Sequence, residues 1–69
     1  MKIKFSQNLR ALREAEKMKQ SDLARVLGIT QRKLSYLETG KVEPNLEDLW
    51  KIADYLGLTV DELIGRTDI

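Results

Sequence analysis

Sixty-nine residues with 42% hydrophobic content make one small domain with a single core, and a chain this short buries only about 60% of its unfolded surface. It contains no cysteine and no histidine, which excludes disulfide staples and zinc-finger ligand sets and leaves helix packing to supply the stability. The net charge of +1 conceals an asymmetry: residues 1–41 hold ten Lys/Arg against four Asp/Glu (net +6), residues 42–69 two against seven (net −5), as expected of one anion-facing side and one acidic side.

In chain order, Phe5, Leu9 and Leu12 recur at i, i+4 and i+7, the stripe of an amphipathic helix that the pattern carries to about Lys17. Ile3 has two readings, as a residue covering the core or as part of a short extended lead-in. Leu23, Ala24 and Leu27 predict a second helix from about Gln20 to Leu27, after which Gly28 supplies a left-handed turn at little cost. Thr30 is a favourable N-cap for a third helix, Gln31 to about Thr39, and Gly40 ends it. Lys41–Pro44 is a short loop. Asn45 then caps a fourth helix whose apolar face holds Leu46, Leu49, Trp50, Ile52, Ala53 and Leu56. Thr59-Val60-Asp61-Glu62 is a capping box, with hydroxyl and carboxylate three apart, opening a short fifth helix with Val60, Leu63 and Ile64. Trp50 and Tyr55 are candidates for a binding groove, although aromatics at helical spacing more often belong to a core or its edge. The expectation is an all-α, compact five-helix domain spanning residues 1–69, with no strand.

The most informative run is Gln20–Glu38, QSDLARVLGITQRKLSYLE. Ala24 is small enough for two helices to cross closely, and Gly28 sits where the chain leaves one helix and enters the next. These are the demands of a helix-turn-helix over about residues 20–39, whose second helix can lie in the DNA major groove. At about 100° per residue, Leu34, Leu37 and Glu38 share one side of the third helix. Arg32 and Tyr36 lie nearly opposite, with Ser35 beside them and Gln31 at the N-terminal end. Arginine can donate two bonds to guanine and glutamine can pair with adenine, so Gln31, Arg32, Ser35 and Tyr36 are the candidate base contacts. Gln20 and the free N–H groups of the second helix suit a phosphate. Lys41 follows the third helix where a DNA backbone should pass.

Charges at the helix ends point the same way. Glu47 and Asp48 open the fourth helix, and Asp61 and Glu62 the fifth, where acids favour the macrodipole. The third helix instead carries Arg32 and Lys33 in its first turn, at a cost of a few tenths of a kcal/mol each when exposed. A phosphate backbone would reverse the sign of that cost. Lys19, Thr30 and Lys33 therefore join Gln20 and Lys41 as candidate phosphate contacts.

The same run, with Leu9-Arg10-Ala11-Leu12-Arg13 before it and Gly40-Lys41-Val42-Glu43-Pro44-Asn45-Leu46 after it, resembles the Cro/CI-type helix-turn-helix family of lambdoid phage repressors and small bacterial regulators. The resemblance runs from about Phe5 to Ile64 and is carried by the Gln-x-x-Leu-Ala-x-x-Leu-Gly-Ile core and the Leu-Glu-x-Gly ending. It implies a five-helix domain, transcriptional regulation (a repressor foremost), base contacts from Gln31, Arg32 and Tyr36, and phosphate contacts from Gln20 and Lys41. It also implies a partly buried salt bridge between Arg13 and Glu38, without which Glu38 would be an uncomfortable acid beside Leu34 and Leu37. The chain departs from the family at Glu16-Lys17-Met18-Lys19, where lysines replace the usual helix-stop glycine and N-cap serine or threonine.

Other function classes are weakly supported. The sequence has no cysteine, histidine, glycine-rich phosphate loop or paired metal-ligand spacing, so no catalytic residue, metal or cofactor is expected. With no second domain expected within residues 1–69, no small-molecule ligand is expected. No apolar stretch approaches the roughly 18–20 residues needed to span a membrane, and Met1–Phe5 lacks the apolar core of a signal peptide, so a soluble, cytoplasmic protein is expected. The expected partners are double-stranded DNA and a second copy of the chain, in a weak homodimer made by the exposed ends of Leu63 and Ile64 on the last helix with adjoining Trp50 or Tyr55 surface. The competing class is a protein-interaction module, such as an antitoxin of the same fold.

Overall fold

In the computed structural model, residues 4–67 are described, and Ile3 lies outside them. The apolar spacing becomes five helices: α1 (Phe5–Ala15), α2 (Gln20–Leu27), α3 (Gln31–Thr39), α4 (Leu46–Leu56) and α5 (Val60–Ile64). Among the described residues there is no strand. Phe5 and Leu9 of α1, Leu23, Ala24 and Leu27 of α2, Leu34 and Leu37 of α3, Ile52 and Ala53 of α4, and Leu63 of α5 form one buried cluster. The helix-turn-helix is thus clasped between α1, which packs on α3, and α4, which packs on α2.

Local chemistry sets the boundaries of each element. Thr30 Oγ1 accepts the Lys33 N–H at 3.0 Å and starts α3. Asn45 and Asp48 exchange side-chain and backbone bonds at 2.7 and 3.2 Å to start α4, and Thr59 and Glu62 do the same for α5. Gly28, with φ +72°, makes the left-handed turn between α2 and α3, returning the Ile29 N–H to Ala24 O at 3.0 Å. The start of α2 is weaker. Its N-cap, Lys19, offers no side-chain acceptor, and Asp22 Oδ2 receives the Lys19 N–H at a long 3.4 Å.

α1 ends at Ala15, two residues before the sequence pattern runs out. The turn that follows has the bonding of a Schellman motif, with the Lys17 N–H on Glu14 O at 2.9 Å and the Met18 N–H on Arg13 O at 3.2 Å. Its left-handed residue is Lys17, with φ +58°, at a position where glycine is the inexpensive choice.

Two expectations about apolar residues are corrected. Trp50 is not in the core or at its edge but 72% exposed, and Leu46, one turn earlier, is 85% exposed. The core takes Leu49, Ile52, Ala53 and Leu56 from α4, leaving the edge of that wide apolar face, Leu46 and Trp50, in solvent. Leu63, in contrast, has no exposed end: it is fully buried. The reason is the return of α5 to α1. Asn8 Nδ2 donates to the carbonyls of Glu62 and Leu63 at 3.3 and 3.1 Å, and the Lys4 N–H donates to Ile64 O at 3.0 Å. Those bonds satisfy the carbonyls that α5 leaves unpaired at its C-terminus and draw Leu63 inward.

Candidate nucleic-acid interface

α3 separates its two faces cleanly. Leu34 and Leu37 are fully buried and Glu38 nearly so, while Gln31 and Arg32 are exposed and Ser35 and Tyr36 half-buried. Arg32 and Tyr36, four apart, stand on one ridge. The Lys41 ammonium lies 5.2 Å from the centroid of the Tyr36 ring, and the Lys41 N–H donates to Tyr36 O at 2.9 Å. The candidate base reader and the candidate backbone contact are therefore held by one another, through a cation–π contact.

Glu38 is the hub beneath this face. Its carboxylate accepts Arg13 Nε at 2.7 Å and Arg13 Nη2 at 3.1 Å, a two-pronged pair whose side chains are 12% and 2% exposed. Arg13 Nη1 also donates to Met18 O at 2.7 Å, so one guanidinium ties α1 to both α3 and the loop before α2. The hydrogen bond to Glu38 raises the affinity of Arg13 for its proton above the ordinary arginine value, outweighing the opposing effect of burial. Among the described residues no buried polar side-chain atom lacks a partner.

The candidate phosphate contacts fall into three situations. Lys19, Thr30 and Lys41 are exposed, and the Thr30 hydroxyl keeps its proton free while its oxygen caps α3. Gln20, expected to reach a phosphate, points its amide at the salt bridge, with Nε2 3.1 Å from Glu38 Oε1. Lys33, expected on the same backbone, has its ammonium 3.1 Å from Asp48 Oδ1. Sequence reasoning gave Asp48 only the function of an acid opening α4. That function is present, but its second oxygen holds the cation of the neighbouring helix. No spacing rule reports a contact between residues 15 apart on two helices; the available signal was the unfavourable place of Lys33 at a helix N-terminus.

The charge asymmetry of the sequence acquires a geometry. Arg10, Lys17, Lys19, Arg25, Arg32 and Lys41 are exposed on α1–α3 and their loops beside Glu14 and Glu16, whereas Glu43, Glu47, Asp54 and Asp61 are exposed on α4, α5 and the loop before them beside Lys51 and Arg66. Among the described residues no cluster of His, Cys, Asp or Glu could hold a metal ion, and no helix is long and apolar enough to cross a membrane.

A helix-turn-helix family model matches residues 9–63. The chain is 44% identical over 56 residues to the uncharacterized HTH-type transcriptional regulator y4dL of Sinorhizobium fredii, covering 81% of this chain and 29% of that protein. It is 39% identical over 64 residues to the cryptic phage CTXphi transcriptional repressor RstR of Vibrio cholerae, covering 93% of this chain and 57% of that one. This chain therefore spans well under two thirds of either relative. Among solved structures, the P22 c2 repressor in complex with a synthetic operator superposes with a TM-score of 0.82 at 28% identity, over 87% of this chain and 91% of that one. Matched from Leu9 to Leu63 and folded like a phage repressor domain, the chain belongs to the Cro/CI-type helix-turn-helix family.

Proposed function

We propose that this chain is a sequence-specific DNA-binding transcriptional regulator, a repressor, that lays α3 in the major groove. The observation that carries the reading is the two-sided character of α3. Its apolar side is anchored by Leu34 and Leu37, and its exposed ridge offers side chains able to read base edges, on a helix whose first turn has no acid. Gln31, Arg32, Ser35 and Tyr36 are the base contacts in this reading, and Lys19, Gln20, Thr30 and Lys41 hold phosphates. Gln20 reaches its phosphate as a bridge, keeping one amide proton on Glu38 and offering the other. Selection from a random DNA pool followed by a salt titration tests the proposal. Recovery of a defined site, with affinity falling steeply as salt rises, supports it; no recovered site and no salt dependence refutes it.

A protein that reads DNA works where the DNA is, which for a bacterial or phage regulator is the cytoplasm. A single helix of nine residues reads too few base pairs to select one site from a genome of ~10⁶ or more competitors, so the chain acts as a homodimer with its two α3 helices about 34 Å apart on the duplex. With Leu63 buried, the self-contact falls on the solvent side of α4 and α5: Leu46, Trp50, Val60 and the partly buried Ile64. Tyr55 is left out of it, since its hydroxyl lies 3.7 Å from Met18 Sδ and it lines a groove with Val26 and Leu27 of α2. So small a patch makes a weak dimer, completed on the operator. The exposure of Leu46 and Trp50 also favours one alternative, a protein-interaction module that docks a different chain there. That reading predicts complex formation with no steep salt dependence on DNA.

A further inference from the structure

We propose that Asp48 limits the sequence-independent DNA affinity of the domain by holding Lys33 away from the phosphate backbone. The inference rests on the reading of α3 as the helix that meets DNA. Lys33 is the third residue of α3, on the flank turned towards α4 rather than on the Arg32–Tyr36 ridge. Its ammonium donates to Asp48 Oδ1 at 3.1 Å, and the two side chains are 36% and 8% exposed.

Asp48 depends on that cation. Its other oxygen, Oδ2, accepts the Asn45 N–H of the capping box. Asp48 lines a small cleft with Leu27, Ile29, Lys51 and Ile52. Lys51 is engaged elsewhere, its ammonium 2.9 Å from Glu47 Oε1. If Lys33 swung out to a phosphate, a nearly buried carboxylate oxygen would lose its partner and bear its full desolvation penalty. A phosphate contact offers in exchange only an exposed cation's share of counterion release. The pair therefore survives DNA binding, and Lys33 adds no counterion release of its own.

Asp48→Asn keeps a carbonyl oxygen for the Asn45 N–H and turns an amide towards Lys33, releasing the ammonium. On a short duplex of random sequence, it should steepen the slope of log K against log salt by about 0.9, which amounts to about 3.5-fold between 50 and 200 mM, and should tighten binding at low salt. The double variant Lys33→Gln/Asp48→Asn removes a neutral pair and leaves two amides able to bond to each other. Its slope and affinity should match those of the original chain. Overturning results are a D48N slope that superposes on the original, which would show that Asp48 withholds no phosphate contact, or a double variant whose slope falls by about 0.9, which would place Lys33 on a phosphate already. If D48N does not fold, the double variant alone decides. Should the original chain show no salt-dependent binding to any duplex, the DNA-binding reading falls first and this inference with it.

Discussion

Lys17→Gly should stabilise the protein, and the size of the effect follows from the backbone. Lys17 holds φ +58° in a turn pinned on both sides by the bonds to Glu14 O and Arg13 O. A side-chain-bearing residue in that left-handed region costs roughly 1–2 kcal/mol. Glycine removes the clash but gives back about 0.5–1 kcal/mol through the greater freedom of its unfolded chain. The net gain is about 0.5–1 kcal/mol, which in a domain of this size raises Tm by about 2–8 °C. Thermal melts followed by circular dichroism measure it. Lys17 also lies among Lys19, Arg13 and Arg10 in sequence, so charge relief is a rival cause, and Lys17→Ala separates the two. Alanine removes the charge but keeps the Cβ in the left-handed region. If alanine raised Tm as much as glycine, or glycine lowered it, the backbone argument would be refuted.

Arg32→Ala should weaken the selected site by roughly 1–3 kcal/mol and relax the choice at one base pair, read by competition among single-base variants of that site. Lys41→Ala should weaken all sequences alike, lower the salt slope by about one, and loosen Tyr36 by removing the cation over its ring. For the buried pair, Glu38→Ala alone should cost about 3–5 kcal/mol, measured by urea unfolding. Arg13→Ala/Glu38→Ala should cost less than the two single losses summed, and strict additivity would deny the coupling. Trp50→Ser should leave the fold intact, since that side chain is largely in solvent, yet move the monomer–dimer balance towards monomer in sedimentation; an unchanged balance would take the self-contact off α4.

The helices, and the two faces of α3, were legible because both are local properties. Periodicity decides which side of a helix is apolar, and Thr30, Asn45 and Thr59 announce their helices through bonds to residues three positions away. The same short range made the irregular turn visible: lysines stand at Lys17 and Lys19 where family members place a glycine and a hydroxyl cap, and the structure answers with a left-handed lysine and a bare N-cap. The ionic partners needed distances between elements. Nothing near Lys33 in the chain points to Asp48, and nothing near Gln20 says that its amide turns to Glu38; both follow from how α2, α3 and α4 cross.

Burial at the domain's edge was decided by tertiary structure for the same reason. Leu63 and Trp50 are both apolar residues on helices with apolar faces, and periodicity alone does not tell which of them the core takes. The return of α5 onto α1, made by Asn8 and the Lys4 N–H, closes the core over Leu63, while no described element crosses the flank of α4 that carries Leu46 and Trp50. The sequence by itself therefore determined which segments are helical, where they start and, except at the end of α1, where they stop, and which face of α3 is exposed, since hydrogen bonds and side-chain spacing within about four residues carry that information. That Lys33 pairs with Asp48 and that Gln20 turns to Glu38, and which apolar residues are left in solvent, were decided only when the five helices packed, because electrostatic pairing and burial depend on distances that no single helix contains.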